Sequence, residues 1–289
     1  MRIGAIFPQT ELGGDVGAVR AYGEAVEELG FTHLLAYDHV VGADPAVHED
    51  WNGPYDLATT FYEPFVMFGF LAAVTSVELV TGIIVLPQRQ TALVAKQAAE
   101  VDLLTGGRFR LGVGVGWNPV EYHALGQDFH RRGARMTEQV GLLRALWTQA
   151  SVTFEGEFDQ VRGAGLAPLP IQRPIPVWLG GSSDPAYRRM GRLADGWFPP
   201  LRPGADLDRA REIIARAAEE VGRDPSTIGM EGRVSWDPDD PDKVGRQVDR
   251  WRASDASHVT INTMASGRSG VDGHIAALAA AAEICGVSR

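Results

Sequence analysis

The sequence predicts an α/β protein, a (β/α)8 TIM barrel. Three observations carry this. First, residues 79 to 118 read as strand, helix, strand. Val80–Leu86 is an apolar run broken only by Thr81 and Gly82 and ended by Pro87, the mark of a strand buried on both faces. Leu93, Val94, Gln97, Ala98, Val101 and Leu104 then recur at helical spacing until Gly106 and Gly107. Phe109–Val115 is again apolar, and two buried strands joined through a helix make a parallel unit. Second, strand and helix patterns alternate along the chain, eight of each. Third, Gly82, Gly112, Gly114 and Gly116 fall toward the C-terminal ends of the strands, the end that carries the active site in such barrels. A glycine there either lets a flat ligand approach the backbone or lets a crowded barrel pack.

The elements follow in order. Ile3–Phe7 is the first strand, closed by Pro8, with Gln9 at the rim. Val16–Leu29 is an amphipathic helix stopped by Gly30. Phe31–Tyr37 is the second strand and ends in Asp38-His39. Residues 42 to 62 are polar, rich in Gly, Pro and Asp, and carry Trp51 and Tyr55; so long a connection suits a lid or binding loop. Glu63–Ser76 is a helix, and the unit described above follows. Helical pattern resumes at Glu121 and runs through Arg132 to Trp147. Val152–Phe158 (VTFEGEF) reads as a hairpin turning at Glu155-Gly156. With the Pro- and Gly-rich stretch to Pro176 it forms an insertion, about 150–176, between strands four and five. Strands at Val177–Leu179, Gly196–Phe198, Gly229–Ser235 and His258–Asn262 complete the eight. Helices at Ala186–Leu193, Asp206–Val221, Lys243–Ala253 and Val271–Ile284 accompany them.

The chain has 289 residues, and a barrel of roughly 250 residues commonly forms one domain, so a single domain over 1–289 is expected. A net charge of −10 disfavours nucleic acid or an anionic membrane as partner. The single cysteine, Cys285, permits no intrachain disulfide and reads as a small residue on the last helix. The first residues show no secretion signal. The longest uncharged apolar run, Pro64–Val77, is shorter than the ~20 residues of a membrane span. A cytoplasmic protein is expected.

Two segments can carry chemistry. Asp38-His39 lies where catalytic side chains sit in barrels, and a histidine there can donate a hydrogen bond or exchange a proton near neutral pH; a loop histidine beside a capping aspartate is the alternative. Gly180-Gly181-Ser182-Ser183 lies between a strand and a helix, where free amides and the helix dipole bind anions, or where turn glycines and a cap suffice. Gly112–Gly116 lacks the third glycine of a dinucleotide fingerprint and lies inside a strand. His33 and His48 are scattered and no HExxH occurs, so no metal site is expected. Trp117-Asn118-Pro119 follows at the rim, where an indole either walls a ligand or packs under the loop.

Several of these segments together resemble the bacterial luciferase-like monooxygenase family, most of all its coenzyme F-420 (deazaflavin)-dependent branch. They are Asp38-His39, the run TGIIVLPQRQTALVAKQAAEVDLLTGGRFRLGVGVGW, the hairpin segment TFEGEF, PLPIQRPIPVWLGGSS and LADGWFP. The resemblance covers nearly the whole chain to about Pro200. It implies a flavin or deazaflavin across the C-terminal mouth of the barrel, against Asp38, Gly82, Ile83, Val85, Gly116, Trp117 and Asn118. Its anionic tail would lie at Gly180, Gly181, Ser182 and Ser183. His39 would stand near the reacting carbon. A non-proline cis peptide, at Gly82-Ile83 here, would form a bulge behind the ring. It implies a small-molecule substrate and a chain that can pair as a homodimer.

One position departs from that branch. Its sugar-phosphate dehydrogenases carry a glutamate just after the strand-four glycines, and Trp117 stands there. This argues against that substrate and mechanism. Glu121, one turn further on, is the nearest carboxylate and is either its substitute or a solvated helix residue. Phe7, Gln9, Trp51, Glu121 and Trp197 are the candidates for the substrate pocket, and Phe7, Trp51, Trp117 and Trp197 as apolar walls suggest an uncharged or aromatic substrate. The expected activity is hydride transfer between coenzyme F-420 and such a substrate. The alternatives are an FMN-dependent monooxygenase using O₂, a flavin-binding relative without turnover, and a metal-dependent barrel hydrolase.

Overall fold

A computed structural model describes residues 1–288. Eight strands run parallel and close on themselves: β1 (Arg2–Ile6), β2 (His33–Tyr37), β3 (Glu78–Val85), β4 (Phe109–Gly114), β7 (Val177–Gly180), β8 (Gly196–Phe198), β9 (Gly229–Ser235) and β10 (His258–Asn262). Around the barrel the order is β1-β10-β9-β8-β7-β4-β3-β2. The helices outside are α1 (Val16–Glu28), α2 (Pro64–Leu71), α3 (Thr91–Leu104), α4 (Pro119–Ala124), α5 (Arg132–Thr148), α6 (Asp184–Leu193), α7 (Ala205–Glu219), α8 (Lys243–Ala253) and α9 (Gly270–Cys285). Local chemistry sets their starts. The Asp15 carboxylate accepts from the Gly17 and Ala18 amides, and Glu63 accepts from Val66 with Pro64 in the first turn.

The hairpin differs from the sequence reading. β5 (Val152–Glu155) pairs with β6 (Gln160–Ala164), not with residues before Phe158. The turn is longer because the Glu138 carboxylate, from α5, accepts from the amides of Glu157, Phe158 and Asp159 at 2.7, 2.9 and 2.7 Å. The helix expected over Glu63–Ser76 ends at Leu71. The helical region from Glu121 is two helices, parted at Gly126 with φ 67°.

The main core lies between the helices and the outer face of the barrel, and includes Tyr22, Phe68, Leu79, Leu111, Leu143 and Trp147. Within the barrel, Ile6, Leu35 and Val80 form a small apolar layer with Tyr37 and Phe198 beside it. A charged layer accompanies it. Glu231 pairs with Arg110 at 2.6 Å and with His33 at 3.0 Å, Glu78 pairs with Arg2 at 3.1 Å, and Arg110 stacks over Trp178 at 4.2 Å. Burial pushes the Glu231 carboxyl up, but Arg110 and His33 outweigh it and hold it down to about 2. Burial and then Arg110 push His258 down to about 3.

β3 carries the bulge. Thr81 opposes Ala36 and Ile83 opposes Tyr37, so Gly82 has no partner on β2. The register with β4 also shifts between Val80 and Ile84. There the Thr81 hydroxyl stands in for a strand: it donates to the Gly112 carbonyl at 2.8 Å and accepts from the Gly112 amide at 2.7 Å. The backbones approach so closely that a Cβ on Gly112 would lie 2.0 Å from the Thr81 carbonyl oxygen. The expected cis bond is not part of this bulge. Among the described residues the cis peptides are Ala167–Pro168 and Arg173–Pro174, and Gly82–Ile83 is trans. The unpaired residue and the Thr81 side chain absorb the register change, and the ~3–4 kcal/mol of a non-proline cis bond is not incurred.

Candidate functional site

The C-terminal mouth of the barrel opens on a cavity of about 660 Å³. From the expected site it brings together Asp38, His39, Gly82, Ile83, Val85, Gly116, Trp117, Gly180, Gly181, Ser182 and Ser183. These come from the ends of four strands and the turns that follow them.

His39 stands just past β2. Its Nδ1 lies 3.3 Å from Glu121 Oε2. Glu121 is 1% exposed, not solvated. Its other oxygen accepts from the amides of Val40 and Val41 at 2.5 and 3.3 Å, and Gln88 Nε2 donates to Oε2 at 3.0 Å. Burial raises the Glu121 carboxyl, but the hydrogen bonds from His39 and Gln88 outweigh it and leave it below the ordinary carboxylate value. An ionised Glu121 can only accept, so Nδ1 must carry the proton. The other ring nitrogen, Nε2, is then the one left to exchange a proton in the cavity that His39 lines. Glu121 does not line this cavity and contacts His39 from behind it. Asn118 is the cap of α4, accepting from Val120 and Glu121 at 3.0 and 3.3 Å. It lines not this cavity but a smaller one of about 250 Å³ beside it.

Asp38 is buried and accepts from Arg89 at 2.7 Å and from the Val85 amide at 3.0 Å. Burial raises its carboxyl against the pull of Arg89 and the Val85 amide. It ties the end of β2 to the end of β3, and the Val85 amide is spent on that bond.

Ile83 changes the meaning of the neighbouring glycines. A Cβ on Gly114 would lie 2.7 Å from Ile83 Cγ2, and one on Gly180 2.2 Å from Ile83 Cδ1. Those glycines make room for the Ile83 side chain, and Ile83 itself meets the cavity. Gly181, with φ 152°, turns the chain into α6, whose first turn has no side-chain cap. The α6 N-terminus thus meets the cavity at Ser182 and Ser183. Asp184 in its first turn, paired with Arg209 at 2.9 Å, already faces the dipole, so the serine hydroxyls and the amides of the turn are what an anion would meet.

An aromatic wall backs His39. Its ring centroid lies 4.8 Å from Phe61, 5.3 Å from Tyr55 and 5.6 Å from Trp117. Trp51 lies 5.5 Å from Trp117, and its indole N–H donates to the Tyr55 carbonyl at 3.1 Å. The long loop is therefore folded over the histidine. Trp51 supports this wall from behind Trp117 and does not line the large cavity.

Besides Glu121 and Trp51, three further expected pocket residues do not line the large cavity. Trp197 faces out of the barrel, 6.1 Å from Tyr187, beside a separate cavity of about 620 Å³ near α7. Phe7 also faces out and packs on Tyr22 and Tyr62 at 5.5 and 5.8 Å. Gln9 is fully buried and joins the ends of β1 and β2 through the Tyr37 carbonyl and amide at 2.9 and 3.0 Å. The cavity instead includes Tyr37, Tyr55, Arg132, Phe198, Glu231, Arg233 and Thr260, which sequence reasoning missed. Strand alternation was the available signal: Leu35 and Tyr37 share the inner face, as do Glu231 and Arg233.

The fold is a (β/α)8 barrel with its candidate site at the C-terminal mouth, and comparison with known proteins gives its family. Residues 1–282 match the luciferase-like monooxygenase family, and the chain belongs to it. An uncharacterized protein of Mycobacterium tuberculosis is 34% identical over 206 residues, covering 69% of this chain and 71% of that one. The F-420-dependent glucose-6-phosphate dehydrogenase of Gordonia bronchialis is 32% identical over 228 residues, 74% of this chain and 63% of that protein. In structure, an F-420-dependent secondary alcohol dehydrogenase in complex with an F-420–acetone adduct superposes with TM-score 0.78 at 17% identity, covering 98% of each chain. At that identity the likeness establishes the fold. Among the described residues no cluster of His, Cys, Asp or Glu could hold a metal ion, and no helix is long and apolar enough to cross a membrane.

Proposed function

We propose that this chain is an oxidoreductase that moves a hydride between coenzyme F-420 and a small organic substrate. The observation that carries this is the convergence of His39, the β3 bulge and the start of α6 on one cavity. The cavity fits such a cofactor in three ways. Its volume is that of a site for a ligand of drug size or larger. Ile83 and the bulge present an apolar surface to a flat ring. Arg132, whose Nε is buried without a partner, opens on the same cavity as the Ser182-Ser183 turn.

When bound, the cofactor supplies the hydride chemistry. Ser182, Ser183, Arg132 and the α6 amides would hold its anionic tail, and Ile83 would support the ring. Glu121 fixes the His39 tautomer, and His39 Nε2 gives or takes the proton that accompanies the hydride. Trp117 and Tyr55 shield that nitrogen from bulk water. The relative that depends on F-420 supports the choice of cofactor.

A second reading has its own support. The family is described by monooxygenases, and Trp117 stands where the sugar-phosphate dehydrogenases carry an acid, so FMN with O₂ is the alternative. Titrating the purified chain with F-420 and FMN side by side separates the two. Saturable binding of F-420 with FMN refused supports the first reading, and the reverse selects the second.

A further inference from the structure

Two arginines reach the large cavity, Arg132 and Arg233. Among the described residues neither pairs with a carboxylate. Arg132 donates to the Phe129 carbonyl at 2.6 Å and lies 3.7 Å over the Phe129 ring. Arg233 donates to the Tyr37 hydroxyl at 3.3 Å. The two carboxylates that line the cavity are already matched, Asp38 by Arg89 and Glu231 by Arg110 and His33. The open charge of the cavity is therefore positive, in a chain whose net charge is −10. Arg233 is solvent-exposed at the mouth of the cavity, and a guanidinium there without a carboxylate partner favours a ligand that supplies the anion.

The two cations occupy different stations on the rim. Arg132 begins α5, which runs beside α6: a Cβ on Gly133 would lie 2.9 Å from an Arg189 guanidinium nitrogen of that helix. That is the side of the Ser182-Ser183 turn. Arg233 is on β9, two strands round from β7, and reaches toward Tyr37 on β2. It stands opposite Thr260 on β10 and above the matched Glu231. One anionic tail held at α6 leaves Arg233 for a second anionic group.

We propose that Arg233, with the Tyr37 hydroxyl, anchors an oxyanion on the substrate, so that the substrate is an organic carboxylate or phosphate. This departs from the uncharged substrate suggested by Phe7 and Trp197, which the barrel turns away from the cavity. It rests on the reading above for the assignment of the α6 side to the cofactor. The anionic head pairs with the guanidinium, and the apolar body lies against Phe198, Tyr55 and Trp117 toward His39. Glu231 accepts from Arg110 and His33 on its two oxygens, and among the described residues it forms no ion pair with Arg233, which leaves that guanidinium open for ligand.

Calorimetric titration with benzoate, phenyl phosphate and benzyl alcohol tests this on both cofactor-free and cofactor-loaded protein. At least one anion is expected to bind about tenfold tighter than the alcohol, and the tighter of the two identifies the head group. Arg233→Gln should erase that preference, leaving alcohol affinity, cofactor affinity and Tm unchanged, and Arg233→Lys should restore part of it. Equal binding of all three probes, or a preference that survives in Arg233→Gln, overturns the proposal. So does a loss of cofactor affinity in that variant, which would assign Arg233 to the cofactor. Should the wild-type chain bind neither F-420 nor FMN, the cofactor reading falls alone, because the anion preference is read independently in the cofactor-free arm.

Discussion

His39 and Glu121 divide one task between them. The histidine meets the cavity, while the carboxylate holds its Nδ1 and two loop amides from behind. Removing the imidazole should cost turnover about 10²–10⁴-fold, the usual worth of a positioned acid or base. Glu121→Gln should cost less, retain cofactor affinity and displace the pH profile, because an amide can offer the ring a donor and permit the wrong tautomer. Steady-state kinetics across pH on both variants checks this. Unchanged turnover in His39→Ala would remove the histidine from the mechanism, and an unmoved pH profile in Glu121→Gln would reduce the glutamate to a loop tie. At this scale the sequence singled out His39 because it stands at a strand end, and the structure puts it on the lining of the cavity. It misjudged neighbours by a single residue. Trp197 and Phe198 are adjacent, yet strand alternation sends Phe198 to the inner layer and Trp197 outward. Phe7 fails in the same way beside Ile6. Glu121 looked solvated because its partners at 39 to 41 lie some eighty residues away.

Among the elements, β3 is held open by one side chain. Thr81→Val keeps shape and β-propensity but leaves the Gly112 amide and carbonyl unpaired in a buried position. The expected cost is about 2–4 kcal/mol, readable by denaturant unfolding, with weaker cofactor binding because Ile83 loses its fixed backbone. A cost under about 0.5 kcal/mol would mean that the bulge does not depend on this hydroxyl. Three of the strands, β8, β9 and β10, and the helix α8 were legible in the sequence to the residue. Their apolar runs and helical periods are set locally. The hairpin was not, because Glu138 shapes its turn from another element. The bulge was expected at the right place but with the wrong backbone isomer, since its hydrogen bonds depend on a register that only the closed barrel defines.

For the whole molecule, the buried charges inside the barrel couple stability to pH. Glu231 is held at about 2 against 4.5 when unfolded. Its contribution, on the order of 3 kcal/mol, is present above pH 4.5 and lost as pH falls toward 2. His258 is depressed to about 3 from 6.5, so folding must also exclude a proton as pH drops below 6.5. Both signs agree: Tm should decline from about pH 6.5 and more steeply below 4.5, and a flat Tm between pH 7 and 4 would contradict the charged layer as drawn. In the proposed function one cavity at the barrel mouth receives a redox ring at the β3 bulge and its anionic tail at the start of α6. Hydrogen exchange recorded at the saturating end of the F-420 titration tests it most directly. Exchange is expected to slow in the segments spanning Gly82–Val85 and Gly180–Ser183, with the outer cavity beside Trp197 unaffected. Saturable binding that protects neither segment would contradict it.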